Sequence, residues 1–234
     1  RKLQVTGHET PITVDPYVKK LHVVLPKPSL EDARPDFERL TDAIQEEHGE
    51  APTEIGRALL QQLPRVLREA DWDVTVAVWG DAKIIAVEAG DTTSVVYGVA
   101  VDVGTSKIVV QLVDLLTGET RGVGSVENPQ IMRGEDLLTR VSYTMAEAGG
   151  LAELQSQAVS GVNSAIRAAC GEAAADPSSI YEATVVGNTV MHHLLLALEP
   201  RYLSLSPFTM ASKKPISLEA RDLVVGDVGS VYDC

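Results

Sequence analysis

Six consecutive residues, Asp102-Val103-Gly104-Thr105-Ser106-Lys107, concentrate more usable chemistry than any other stretch of the chain. Gly104 lets a backbone approach a ligand closely. Successive N–H groups in a turn form a concave anion site. Thr105 and Ser106 add hydroxyl donors, and Lys107 adds a positive charge. Asp102 supplies a carboxylate for hydrated Mg²⁺, an ion that prefers carboxylate, water and phosphate oxygens. These parts together suit the phosphate tail of a nucleotide. The bland alternative is an ordinary hairpin whose turn happens to be polar.

The flanking residues decide how the turn is held. Val99 and Val101 alternate ahead of Asp102, and a β-branched run resumes from Ile108 to Val113. That pattern predicts strand, hairpin turn, strand. It excludes a Walker A loop, which is longer, opens a helix and places Lys directly after Gly. A third strand is expected around Thr120 to Ser125, then a turn at Asn128-Pro129. Leu137, Leu138, Val141 and Met145 fit one helix, and Leu151, Leu154, Ala158, Val162 and Ile166 fit another beyond Gly149-Gly150. Ala183 to Val186 reads as a short buried strand of a parallel sheet. Gly187-Asn188-Thr189 is the turn at its carboxyl end, and a helix follows from Met191 to Leu198. In open α/β sheets ligands sit beyond the carboxyl ends of strands, which puts Asn188 and Thr189 near the crevice of the hairpin turn.

Upstream, residues 1–16 carry turn formers without helical period and read as a linker or extended arm. LHVVL, within Tyr17 to Leu25, is a strand ended by Pro26 and Pro28. Ser29 is expected to cap a helix bearing Leu30, Ala33, Phe37, Leu40 and Ile44, kinked or restarted at Pro35. Thr53 is expected to cap a second one, with Ile55, Leu59, Leu60 and Leu63, broken at Pro64. Two strands, Asp73 to Trp79 and Lys83 to Val87, complete a small α/β unit in which no catalytic constellation is evident.

A length of 234 residues allows one large domain or two small ones. The net charge of -13 argues against nucleic acid or an anionic membrane as partner. No apolar run is long enough to span a bilayer and no secretory signal is present, so a cytoplasmic location is the default. The two cysteines, Cys170 and Cys234, supply neither a disulfide framework nor a four-thiolate cluster. The chain starts at Arg1 without Met and stops just after an apparent strand, and it reads as a fragment. Other candidates carry less weight. His192-His193 point about 100° apart on a helix and do not chelate one ion easily. Glu135 and Asp136 could reach a nucleotide magnesium, but a helix start attracts acids anyway. Cys170 has no CxxC partner and reads as a buried, inert thiol. Trp72 and Trp79 read as core or interface.

The turn and its flanking strands resemble the first phosphate-binding hairpin of the ASKHA superfamily of acetate and sugar kinases, heat-shock ATPases and actin. Five segments, in order, sharpen the resemblance: LREADWDVTV, GDTTSVVYGVAVDVGTSK, NPQIMRGEDLLTRV, VVGNTVMHHLLLALEP and LSPFTMA. Together they resemble the ASKHA-type ferredoxin proteins that reductively activate corrinoid proteins, over about residues 17–220. The resemblance implies an α/β fold: a linker over 1–16, a small α/β middle domain over 17–93, and over 94–234 a truncated first lobe of a ribonuclease H-like ASKHA domain, with a mixed sheet and the phosphate hairpin. It implies ATP-dependent reduction of a Co(II) corrinoid to Co(I) for methyl transfer, with a corrinoid protein as partner and a homodimer left open. It matches Asp102, Gly104, Thr105 and Ser106 to the phosphate hairpin, with Asp102 toward the magnesium of ATP, and Gly187, Asn188 and Thr189 to a second loop. Lys107 stands where the family more commonly has Thr. A [2Fe–2S] cluster is implied upstream of this chain, and the later phosphate loop and adenosine segment of the ASKHA fold are not in it. A small-molecule kinase sharing the hairpin and a non-catalytic docking module are the competing readings.

Overall fold

The computed structural model describes residues 13–223. They divide into two compact units, one made of 13–96 with 114–119 and the other of 97–113 with 120–223. Most of the expected linker lies outside the described residues, as does Cys234.

The first unit is a four-stranded mixed sheet with two helices. Its elements are β1 (Val18–Val24), α1 (Asp36–His48), β2 (Glu54–Ile55), α2 (Arg57–Glu69), β3 (Asp73–Trp79) and β4 (Lys83–Ala89). The strand order is β1-β3-β4-β2, antiparallel at β1/β3 and β3/β4, parallel at β2/β4. The alternation Val74, Val76, Val78 puts three side chains on one buried face, against Leu40 and Ile44 of α1 and Leu63 and Leu67 of α2. Each such side chain contributes about 1.5–3 kcal/mol by leaving water.

Three expectations for this unit are corrected. A helix does start at Pro35, as one of the two expected outcomes there, but none precedes it among the described residues: α1 begins at Asp36, and Leu30 lies outside it and is fully exposed. Ser29 caps only a local turn, accepting from the N–H groups of Glu31 and Asp32. Thr53 caps nothing, because Ile55 belongs to β2 and the second helix starts after Gly56. Pro64 does not break α2. A proline removes one helical N–H and crowds the carbonyl four residues back; here Pro64 and Leu60 lie on the exposed face, where water can serve the Leu60 carbonyl.

The second unit is a four-stranded mixed sheet backed by helices. It contains β5 (Tyr97–Val103), β6 (Lys107–Asp114), β7 (Thr120–Glu127), α3 (Leu137–Ala146), α4 (Gly150–Ala173), β8 (Ile180–Gly187) and α5 (Thr189–Leu195). The order is β7-β6-β5-β8, with β6/β7 antiparallel and β5/β8 parallel. One face of the sheet carries Val99, Val101, Val103, Ile108, Val110 and Leu112 into a core shared with α4 and α5. α4 presents Leu154, Ala158, Val162 and Ile166 to it, as the three- and four-residue spacing predicts. α4 comes so close to β7 that a Cβ on Gly124 would collide with the Ala165 carbonyl oxygen. Glycine in a strand marks such an approach. The expectation of a buried β8 is corrected: it is an edge strand in which Ala183, Thr184 and Val186 are exposed. A run of short apolar residues cannot distinguish a central from an edge position.

Candidate anion site at the 104–107 turn

β5 delivers the turn. Val99, Val101 and Val103 are buried, so the alternation places Ala100 and Asp102 on the opposite, exposed face. Asp102 therefore stands two residues before Gly104, with its carboxyl group open to solvent. Gly104, Thr105 and Ser106 form the bend, and β6 starts at Lys107. A Cβ on Gly104 would lie 2.6 Å from the Lys107 carbonyl oxygen, so the bend is too tight for any other residue. Ser106 and Lys107 are exposed and Thr105 is half-buried.

β8 delivers the second loop to the same end of the sheet. Its parallel register pairs Asp102 with Val186 and Val103 with Gly187, so the two chains leave the sheet side by side. Asn188 then caps α5, its Oδ1 accepting from the Met191 N–H at 3.0 Å, while its Nδ2 donates a long hydrogen bond of 3.4 Å to Thr105 Oγ1. Gly187, Asn188 and Thr189 thus adjoin the turn. His193 is buried and fully used within the fold: its Nδ1 lies 2.8 Å from the Thr189 carbonyl oxygen, and its Nε2 accepts from the Ala211 N–H. The Nδ1–H tautomer satisfies both bonds, leaving no lone pair for a metal. Asp136 caps α3 by accepting from the Thr139 N–H, and that bond holds its carboxyl below the usual range.

Beneath the turn lies a polar network that the sequence reading did not single out. Asn128, Gln130 and Arg140 are each fully buried. The Asn128 side chain donates to the Gly104 carbonyl at 2.8 Å, and its N–H donates to the Ser106 carbonyl at 2.9 Å. Arg140 Nη2 donates to the Thr105 carbonyl at 2.6 Å. All three carbonyls of the bend are thereby drawn inward. Arg140 Nε donates to the Gly134 carbonyl, and Nη1 donates to Gln130 Oε1 at 3.0 Å and contacts Met191 Sδ at 3.3 Å. Gln130 Nε2 in turn donates to the Leu154 carbonyl of α4. Burial lowers the proton affinity of the Arg140 guanidinium, an effect only partly offset by the Asp136 charge. One signal was available: Arg140 falls on the same helical face as Leu137 and Val141, where a charged residue is out of place.

The residues fit a magnesium–nucleotide phosphate: hydroxyls, an ammonium and a carboxylate surround a bend whose carbonyls point away. They do not fit an iron–sulfur cluster. Cys170 is a buried thiol on α4 outside any disulfide, and among the described residues no group of three His, Cys, Asp or Glu side chains is arranged to hold a metal. No helix of the described residues is long and apolar enough to cross a membrane.

Comparison with known proteins gives the class. The profile described as the RACo middle region matches residues 97–231, more than half the chain, and the one described as the RACo linker region matches 7–94. The chain belongs to the RACo family. A curated relative, the corrinoid activation enzyme RamQ of Eubacterium limosum, is 31% identical over 147 residues, which are 63% of this chain and 25% of that protein. The solved structure of a reductive activator for corrinoid, iron-sulfur protein superposes with a TM-score of 0.77 at 32% identity, over 92% of this chain and 35% of that one. The chain thus spans between a quarter and about a third of the length of these relatives.

Proposed function

We propose that this chain is the part of an ATP-dependent reductive activator of corrinoid proteins that offers the phosphate-binding hairpin, and that 97–223 forms the first lobe of an ASKHA-type ATPase domain. Asp102 holds the nucleotide magnesium, through water or directly. The Gly104-Thr105-Ser106 bend receives phosphate oxygens, with Lys107 adding charge at its rim. Gly187, Asn188 and Thr189 close the crevice from β8. The observation that carries this reading is the convergence of the two loops, with Asn188 Nδ2 at 3.4 Å from Thr105 Oγ1. The whole protein would return a Co(II) corrinoid to Co(I), with a corrinoid protein as partner. Its electron would come from a [2Fe–2S] cluster on a segment other than this one.

The test uses the complete gene product with a Co(II) corrinoid protein, Mg-ATP and a low-potential donor. Wild type should convert Co(II) to Co(I), followed by the corrinoid absorption spectrum. Asp102→Asn should lose ATP hydrolysis and Co(I) formation at an unchanged melting temperature. Wild-type rates in that variant would remove Asp102 from the site. ATP hydrolysis with phosphate transferred to a small acceptor would favour the kinase reading instead.

A further inference from the structure

Arg140 is bonded to the turn from within the core. Its guanidinium is fully buried, and its hydrogen-bond acceptors are the Thr105 and Gly134 carbonyls, Gln130 Oε1 and Met191 Sδ. None of them is a carboxylate. Removing an ion from water costs several kcal/mol unless a counter-charge compensates. Asp136, the acid that acts on it through space, caps α3 through the Thr139 N–H and makes no hydrogen bond to the guanidinium. A positive charge with no bonded counter-ion therefore sits directly behind the bend.

The bonds also fix the orientation of the peptides. In a trans peptide the N–H points opposite to the C=O of the same unit. The Gly104 carbonyl is held by Asn128 and the Thr105 carbonyl by Arg140. The N–H groups of Thr105 and Ser106 must then face away from the network. The charge and the two N–H dipoles act in the same sense. Behind low-dielectric protein, such a charge is screened less than one at the surface.

We propose that Arg140 is a positioning residue for a polyphosphate at the 104–107 turn: through the Thr105 carbonyl it holds the two N–H groups outward, and its buried charge, unneutralised by any bonded carboxylate, makes the bend select di- and triphosphates over singly charged anions. Asn128 and Gln130 hold Arg140 and the bend in register. The inference rests on the phosphate reading of the turn and adds to it the residue behind the site and the class of anion it selects.

The experiment is a titration of the purified chain with magnesium pyrophosphate and, separately, with acetate, followed by calorimetry and by amide hydrogen exchange. Wild type should bind pyrophosphate and not acetate. The Thr105 and Ser106 amides should exchange fast in the free chain and slow when pyrophosphate is present. Arg140→Met should weaken pyrophosphate binding by about tenfold or more, the scale of a lost charge-assisted bond. Arg140→Lys, which keeps the charge, should recover part of that loss. If the Met variant fails to fold, the Lys variant and the wild-type exchange pattern still decide. Equal affinity in folded wild type, Lys and Met chains overturns the role of Arg140 and leaves the phosphate site standing. So does slow exchange of both amides in the anion-free chain. No pyrophosphate binding by wild type overturns the phosphate reading itself, and the inference with it.

Discussion

Each unit buries one arginine inside its core, and the two are held in opposite ways. Arg39 of the first unit is 1% exposed, and Nη1 donates to Asp32 Oδ2 at 2.7 Å and to the Pro26 carbonyl at 3.1 Å. Its Nη2 donates to the Asp32 carbonyl at 2.8 Å, and its guanidinium lies 6.0 Å from the Trp72 ring centroid. Asp32 also pairs with Arg34, and the two arginines hold its carboxyl far below the usual carboxylate range. Arg140 of the second unit is 0% exposed and bonds only neutral acceptors. Burial is the same; neutralisation is not. A buried cation closed by its own acid is a structural clamp. One whose charge is left open behind an exposed polar bend has an electrostatic effect beyond its own packing.

That contrast can be broken in order of expected effect. Gly124→Ala should cost the second unit about 3 kcal/mol or more, because the added methyl meets the α4 backbone, which no rotamer change relieves. Urea melts followed by probes in each unit should show the second transition moving and the first staying. A wild-type melt would mean that β7 and α4 are not packed as described.

Arg39→Met comes next. It should destabilise the first unit by about 2 kcal/mol, since several bonds to a buried head group are lost while half-exposed Asp32 regains water. Pyrophosphate affinity should not change. A drop in affinity would erase the distinction between the two arginines.

Asp102→Asn should leave stability within about 0.5 kcal/mol, as expected of an exposed side chain. Magnesium-dependent ATP affinity should fall by about tenfold, and magnesium-free affinity should stay. A loss independent of magnesium would give Asp102 another role.

Acid should have the smallest effect. Asp32 and Asp136 both have folded-state carboxyls depressed below their unfolded values, by the Arg34 and Arg39 bonds in one case and by the Thr139 N–H in the other. A depressed acid contributes stability above its unfolded pKa and loses it as the pH falls through the folded one. The melting temperature should therefore hold from neutrality down to the ordinary carboxylate range and decline below it. A decline already in mild acid would point to a titrating histidine.

The strands were legible because alternation is a local signal: Val74, Val76 and Val78, then Val99, Val101 and Val103, each mark a buried face. α4 was legible from its spacing of three and four. The caps at Ser29 and Thr53 were misread because serine and threonine favour turns as readily as helix starts. Pro64 was misread because its cost depends on whether the affected carbonyl meets solvent, which a sequence does not state. That the 104–107 and 187–189 loops leave one end of the sheet was legible, since two parallel strands end their chains on the same side. The network under them was not. Asn128, Gln130 and Arg140 become a unit only when the 128–140 segment folds beneath a turn more than twenty residues upstream, and polar residues look solvated until burial is known.

The central claim is that the 104–107 bend and the 187–189 loop form one phosphate site. The most direct measurement is amide chemical-shift mapping of the isotopically labelled chain with Mg-ATP. The account predicts that Gly104, Thr105, Ser106 and Lys107 shift together with Gly187, Asn188 and Thr189 along one saturation curve, and that magnesium steepens it. Shifts confined to other residues, or two loops that respond at different concentrations, would contradict it.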